Sequence, residues 1–318
     1  MCKQVVAKTT ELSHDEWLKL RLKGIGGSDC AAAVGMSRWK TPLEVFMEKT
    51  GRKAQVSETE KMYWGRTLEP VLRAEFTRRT NLKTQVVPYM MNHREYPYML
   101  ANIDGIVIEK DGTKCLLELK TAGTAAEKEW TEESIPVEYY LQVQHYLFVT
   151  GLPKAYVAVL IGGNKFQWQI LERDEETIQT LVALESYFWS EYVLKDVPPP
   201  VDANSGEALA MLYPTAEKDK TIVLPLDADE MIAQWLEIKK AEEEIKTAKA
   251  TCENQLKALL KDAESGTTAN GYTVRWTAYT QSRLDTMKLK AEQPEIAAKY
   301  TTQSNARKFS IVEPKDKK

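Results

Sequence analysis

Apolar positions recur along this chain with two different periods, and the changes of period outline its elements. Ser13 to Leu22 reads as a helix, with Trp17, Leu18 and Leu22 at helical spacing and Ser13 and Glu16 in capping-box relation. It runs into a turn, Lys23-Gly24-Ile25-Gly26-Gly27-Ser28-Asp29, followed by a small-residue helix from Cys30 to Val34. Thr41-Pro42 opens a further helix, Leu43 to Thr50, because proline is tolerated where the first helical N–H has no partner anyway. Glu58 to Thr80 reads as one long helix interrupted at Gly65 and Pro70, with Trp64, Leu68, Leu72 and Phe76 four apart on one face.

The period then shortens. Ala101 to Lys120 reads as a hairpin turning at Asp111-Gly112 between two aliphatic runs. Val137 to Val149 is apolar enough for a buried helix, Ala155 to Ile161 and Phe166 to Leu171 form a second strand pair, and Glu175 to Leu194 an amphipathic helix. Helices interleaved with strands in this order predict an α/β sheet with helical cover. The prolines of Asp196-Val197-Pro198-Pro199-Pro200-Val201-Asp202 mark a seam. The expected division is a domain over 1–197, a linker over 198–204 and an appendage over 205–318.

In that appendage Asp229 to Asp262 reads as one helix in which Met231, Ile238, Ile245, Cys252 and Leu259 recur every seven residues. The companion positions Glu242 and Lys249 break the seam, so a helix folded on the first domain, or a helical hairpin, is expected over a long parallel coiled coil. Asn270-Gly271 marks a turn, Tyr272 to Trp276 a strand, and Phe309 to Val312 its expected partner. Arg275, Arg283, Arg307 and Lys308 could contact DNA or simply form a solvated face.

Composition narrows the function classes. With 318 residues, Lys+Arg 43 and Asp+Glu 46, the net charge is -3, which disfavours nucleic-acid binding by bulk positive charge but leaves a local basic groove open. The four cysteines form no C-x-x-C pair and the three histidines are dispersed, which excludes a zinc site with clustered ligands. Gly24 to Gly27 lacks the Gly-Lys-Ser/Thr continuation of a nucleotide loop. Neither a signal peptide nor an apolar run of membrane-spanning length is visible, and the expected compartment is the cytoplasm.

The hairpin carries the chemistry. A two- or four-residue loop at Asp111-Gly112 puts Asp104 opposite Leu119, whereas a three-residue loop, Lys110-Asp111-Gly112 with a left-handed Gly112, pairs Asp104 with Glu118. Glu118 and Lys120 share a strand face in either case. In the second register two carboxylates and an ammonium converge, a set suited to Mg²⁺ or Mn²⁺ and to phosphodiester hydrolysis.

Asp104-Gly105 followed by Leu117-Glu118-Leu119-Lys120 resembles the active-site hairpin of PD-(D/E)xK nucleases. Gln142 and Tyr146 are similar to the Q-x-x-x-Y helix of the RecB-like and lambda-exonuclease-like branches, and Trp64 to Pro70 to the upstream helix with its active-site glutamate, Glu69. Trp17 to Arg21, Gly26-Gly27-Ser28-Asp29 and Ala31-Ala32 resemble the amino-terminal block of the YqaJ-type viral recombinase family; the residue before Asp104 is Ile103 where the nuclease motif often has proline. The resemblance spans about residues 13 to 195. It implies a mixed central sheet flanked by helices, with a mainly helical appendage carrying a short β element.

It further implies that Asp104, Glu118 and the Leu119 carbonyl hold the metal, Mg²⁺ with Mn²⁺ as substitute, and that Glu69 serves the same or a second ion. Lys120 would be the catalytic lysine, Gln142 and Tyr146 would position it or the substrate, and Arg21 and Ser28 would bind a terminal 5′ phosphate. The implied activity is a deoxyribonuclease resecting linear duplex from the 5′ end. It would leave a 3′ strand for a RecT-type annealing partner and work as a ring-shaped homo-oligomer, often a trimer. The alternatives are an endonuclease of the same fold and a non-catalytic DNA-binding or assembly protein that keeps it. Tyr139, Tyr140, Phe148 and Trp168 read as core or interface aromatics, Gln144 as facing away from the site, and Arg38, Trp39 and Lys40 as candidates at a DNA end.

Overall fold

The computed structural model describes residues 3–53, 59–131, 134–303 and 307–312. Two compact units divide between Tyr213 and Pro214. The first opens with β1 (Lys3–Lys8) and α1 (His14–Arg21), whose Ser13 and Glu16 form the expected capping box. A short β2 (Ile25–Gly26) leads straight into α2 (Gly27–Ala33), so Gly27, Ser28 and Asp29 are helical and not part of the turn expected of them. α3 (Pro42–Lys49) follows a Thr41 capping box.

Next comes α4 (Glu60–Thr80), which runs unbroken through Gly65 and Pro70 where an interruption is expected. Pro70 lies on the exposed face, where water can satisfy the carbonyl its missing N–H leaves open. Leu72 and Phe76 are buried but Trp64 is not, so only the second half of the apolar stripe is core. Glu58 lies outside the described residues.

The apolar pattern does not mark β3 (Lys83–Val86), β4 (Tyr89–His93) or β5 (Met99–Ala101) as strands. β6 (Gly105–Ile108), β7 (Lys114–Ala122), α5 (Val137–Thr150), β8 (Lys154–Ile161) and β9 (Lys165–Glu172) follow close to the expected bounds. α6 (Glu175–Tyr187) continues as a π-helical stretch, Phe188–Val193. α7 (Gly206–Leu212) lies beyond the prolines, yet its Ala208 is buried among α2 and α3 residues, which moves the boundary from 198–204 to Tyr213.

The main sheet has the order β3-β6-β7-β8-β9, antiparallel except for the β7–β8 pair, which α5 connects. A separate four-stranded sheet runs β1-β4-β5-β2. Ala101 therefore belongs to β5 and the hairpin starts at Gly105. Its register is Gly105 opposite Leu117 through Ile108 opposite Lys114. The Glu109 N–H donates to the Thr113 carbonyl, and Gly112 has φ 89°. This is the three-residue loop.

β7 is central, and its near-continuous apolar run follows from having both faces covered. Cys115, Leu117 and Leu119 pack with Leu72 and Phe76 of α4, while Leu116 packs with Val143, Tyr146 and Leu147 of α5. Glu118 and Lys120 follow Leu116 on the α5 side. An apolar sandwich thus fixes the strand on which two polar residues are carried.

The second unit holds α8 (Ala228–Leu260), β10 (Ser265–Thr267), β11 (Thr273–Arg275), α9 (Thr286–Glu292) and α10 (Pro294–Lys299). α8 is a single helix of 33 residues and not a hairpin. β11 pairs with β10 across Asn270-Gly271, in place of the expected Phe309 to Val312. Among the described residues no helix is long and apolar enough to cross a membrane.

Candidate active site

Strand β7 and helix α5 bring the polar residues together. The Lys120 ammonium lies 2.6 Å from Glu118 Oε1 and donates to Gln142 Oε1 at 3.2 Å, while Gln142 Nε2 donates to Glu118 Oε1 at 2.8 Å. Tyr146, one helical turn from Gln142, places its hydroxyl 3.4 Å from the same Nε2. Asp104, at the start of β6, accepts the Leu119 N–H at 2.7 Å. Arg73 reaches from α4 to pair with Glu69 and to donate to the Asp104 carbonyl at 2.8 Å. All of these side chains except Arg73 line a cleft of about 1330 Å³.

The acids are crowded. Burial, followed by the charges of Asp104 and Glu69, pushes the Glu118 carboxyl up to about 8, against the opposing pull of Lys120. Burial likewise raises Asp104, opposed by Lys120, the Leu119 N–H and Arg73, and it raises Glu69 together with the Asp104 charge. Burial alone would lower Lys120, but Glu118 and Asp104 outweigh it, so the ammonium is held charged. Glu118 Oε2 is buried without a hydrogen-bond partner. An orphaned carboxylate oxygen inside a cluster of hard oxygen donors short of positive charge fits a divalent cation bound by oxygens.

Arg21 and Ser28 meet at another part of the same cleft, with Arg21 Nη2 donating to Ser28 Oγ at 2.7 Å and its guanidinium 4.9 Å from the centre of the Trp17 ring. Asp29 anchors this corner. It is nearly buried and accepts from Lys49 at 2.8 Å and Lys40 at 3.0 Å, with Arg21 at 3.4 Å. Burial would raise its carboxyl, but Lys49, Lys40 and Arg21 together hold it far below the usual carboxylate range. Arg21, Arg38, Lys61 and Arg66 all line the cleft, which supplies the local basic surface that the net charge conceals.

Gly27 is where α2 closes on α5. A Cβ there would lie 2.5 Å from the Tyr146 ring and 2.9 Å from Gln142 Cγ, whereas at Gly26 it would meet only Arg21, at 4.0 Å. Gly27→Ala is expected to destabilise the fold by about 1–3 kcal/mol through overpacking, with Gly26→Ala near neutral. Urea denaturation of the two variants checks this.

Three features escape the sequence reading. Arg73, four residues after Glu69, is the cation nearest the carboxylates from the α4 side. Tyr139, expected as a core or interface aromatic, lines the cleft with its ring 4.9 Å from the Lys120 ammonium. Cys30, His145 and Glu185, far apart in sequence, bring ligand atoms within 4.8 Å of one another, so dispersal along the chain did not mean dispersal in space. His145 bridges the Leu100 carbonyl and Glu185, both at 2.9 Å, bracing α5 against β5 and α6. Gln144 bonds the Glu172 carbonyl and the Asp174 N–H, away from the cleft.

Residues 16–153 match the YqaJ-like viral recombinase domain. Protein YqaJ of Bacillus subtilis (strain 168) is 41% identical over 315 residues, covering 98% of each chain. Among solved structures, an alkaline exonuclease (LHK-Exo) from Laribacter hongkongensis aligns with 57% of this chain and 93% of its own, at 21% identity and a TM-score of 0.48. A phage related exonuclease from Haemophilus somnus 129PT aligns with 54% and 96%, at 10% identity and a TM-score of 0.40. By its sustained identity to YqaJ, and by the domain matched over the residues that build the cleft, the chain belongs to the YqaJ-like viral recombinase family.

Proposed function

We propose that this protein is a metal-dependent DNA exonuclease that resects linear duplex from the 5′ end and leaves a 3′ strand for a RecT-type annealing partner. The observation that carries the reading is the convergence of Asp104, Glu118 and Lys120, with Glu118 Oε2 orphaned, in the cleft that also holds the Arg21–Ser28 pair. Asp104, Glu118 and the Leu119 carbonyl would hold Mg²⁺, or Mn²⁺ in its place, with Glu69 at the same or a second ion. When bound, such an ion polarises the phosphodiester and lowers the pKa of water.

The chain's own residues do the rest. Lys120, kept protonated by Glu118, stabilises negative charge building on the phosphoryl oxygens. Gln142 accepts from Lys120 and donates to Glu118, so it fixes the ammonium relative to the carboxylate, and Tyr146 supports Gln142 from one turn away. The guanidinium fork of Arg21 and the Ser28 hydroxyl suit a terminal 5′ phosphate, and the Trp17 ring, 4.9 Å from the guanidinium, gives the fork an aromatic surface to rest on. A ring of copies, often three in the family, would keep the enzyme on the strand.

With Mg²⁺, 5′-phosphorylated linear duplex should release nucleotides while closed-circular DNA stays intact. A duplex with a 5′ hydroxyl should be degraded at least about tenfold more slowly, given the 1.5–3 kcal/mol typical of a hydrogen bond to a charged group. Cutting of the circle would make the protein an endonuclease. Binding without cleavage in either Mg²⁺ or Mn²⁺ would make it an assembly protein on a nuclease fold.

A further inference from the structure

Among the described residues, the side chains of the seven-residue repeat on α8 stand exposed. Met231, Ile238, Ile245 and Leu259 are between 61% and 79% exposed, and Cys252 is exposed too. The second seam position, three residues on, reads Gln234, Ala241, Ala248 and Gln255, so large and small residues alternate through the middle of the stripe and glutamines stand at its ends. The charges are unevenly divided. Asp229, Glu230, Glu237 and Glu242 to Glu244 outnumber Lys239 and Lys240 in the first half, while Lys246, Lys249 and Lys257 outnumber Glu253 in the second.

We propose that this face pairs with α8 of a second copy of the chain as an antiparallel two-stranded coiled coil. In antiparallel pairing the first seam position of one helix meets the second of the other, so large meets small. With Ile245 set against Ala248 of the second copy, Cys252 meets Ala241. On the flank of that register Glu242 pairs with Lys249, twice by symmetry, while Trp235 on the same flank packs against Phe309 of its own chain. Shifting the pairing by one heptad sets Glu242 against itself. Parallel pairing stacks Ala241 and Ala248 on their own copies, which leaves voids, and sets Glu237 beside Glu242. One orientation and one register therefore satisfy charge and the packing of the central layers, with Gln255 against Ile238 and Gln234 against Leu259 at the ends. The inference rests on α8 alone and stands or falls apart from the nuclease reading.

The test uses the full chain with Cys2→Ser, since Cys30 and Cys115 are buried and Cys252 is exposed. Ala241→Cys under mild oxidation should link two chains through Cys252, giving a dimer on a non-reducing gel. Within one helix the two positions are roughly 16 Å apart and cannot bridge. Addition of Cys252→Ser should abolish the link, and the parent bearing Cys252 alone should stay unlinked. Linking of the parent, linking that survives Cys252→Ser, or no linking at all would each overturn the proposal. Independently, Ile245→Glu should halve the mass seen by sedimentation with the thermal unfolding of the chain unchanged; an unchanged mass would also overturn it.

Discussion

Lys120→Ala should lower nucleotide release from 5′-phosphorylated linear duplex by at least about a hundredfold while leaving DNA binding within a fewfold of wild type. Two effects act in the same direction. The ammonium is removed from beside the phosphoryl group, and the remaining carboxylates lose the charge that most opposes their mutual repulsion, since Lys120 is the first group pulling Asp104 and Glu118 down. Lys120 makes its bonds to Glu118 and Gln142 within the cleft, and no core cluster includes it, so the fold should persist. Initial rates, a filter-binding titration and a thermal melt on the same preparation separate the outcomes. Equal rates in the two proteins would remove Lys120 from the mechanism.

Asp29→Asn should destabilise the first unit by about 3–5 kcal/mol, because it leaves Lys49 buried without its counter-ion and Lys40 and Arg21 without theirs. Lys49 is 3% exposed, so water cannot replace the lost carboxylate. The effect has a defined pH dependence. The Asp29 carboxyl is depressed in the folded protein, so its contribution is fully present above the unfolded value near about 4 and is lost as pH falls below it. The gap in denaturation midpoint between wild type and Asp29→Asn should therefore be constant from pH 7 to 5 and shrink in acid. A gap independent of pH would mean that packing, not charge, explains the loss.

Much of this arrangement was legible in the sequence because it depends on short periods. Glu118 and Lys120 share a face by the period of a strand, and Gln142 and Tyr146 do so by the turn of a helix. The Asp104 register turned on the choice of loop length, which the left-handed Gly112 settles. What stayed hidden depends on distant elements meeting. Nothing local distinguishes Arg73 from a solvated partner of Glu69 until the start of β6 is set beside α4. Asp29 reads as a turn residue until α3 brings Lys49 to it. The four-stranded sheet was missed because its strands are short and carry Asn92 and His93 where an apolar alternation would have announced them. The proline seam misled for a related reason: prolines stop a helix, but only packing ends a domain, and Ala208 packs back.

The three-residue loop at Lys110-Asp111-Gly112 lies outside the cleft lining, and its length accompanies the register that sets Asp104 opposite Glu118. Loss of one loop residue admits two outcomes: Glu109 and Thr113 stay paired across a two-residue turn and Asp104 keeps Glu118, or the three-residue turn re-forms, β6 slides by one place and Asp104 meets Leu117 or Leu119. The slide would carry Val107 out of the core it shares with Leu72 and Phe76, so packing opposes it. The exposed turn can therefore vary in length as well as in sequence, with the buried face of β6 acting as the ratchet that returns Asp104 to Glu118.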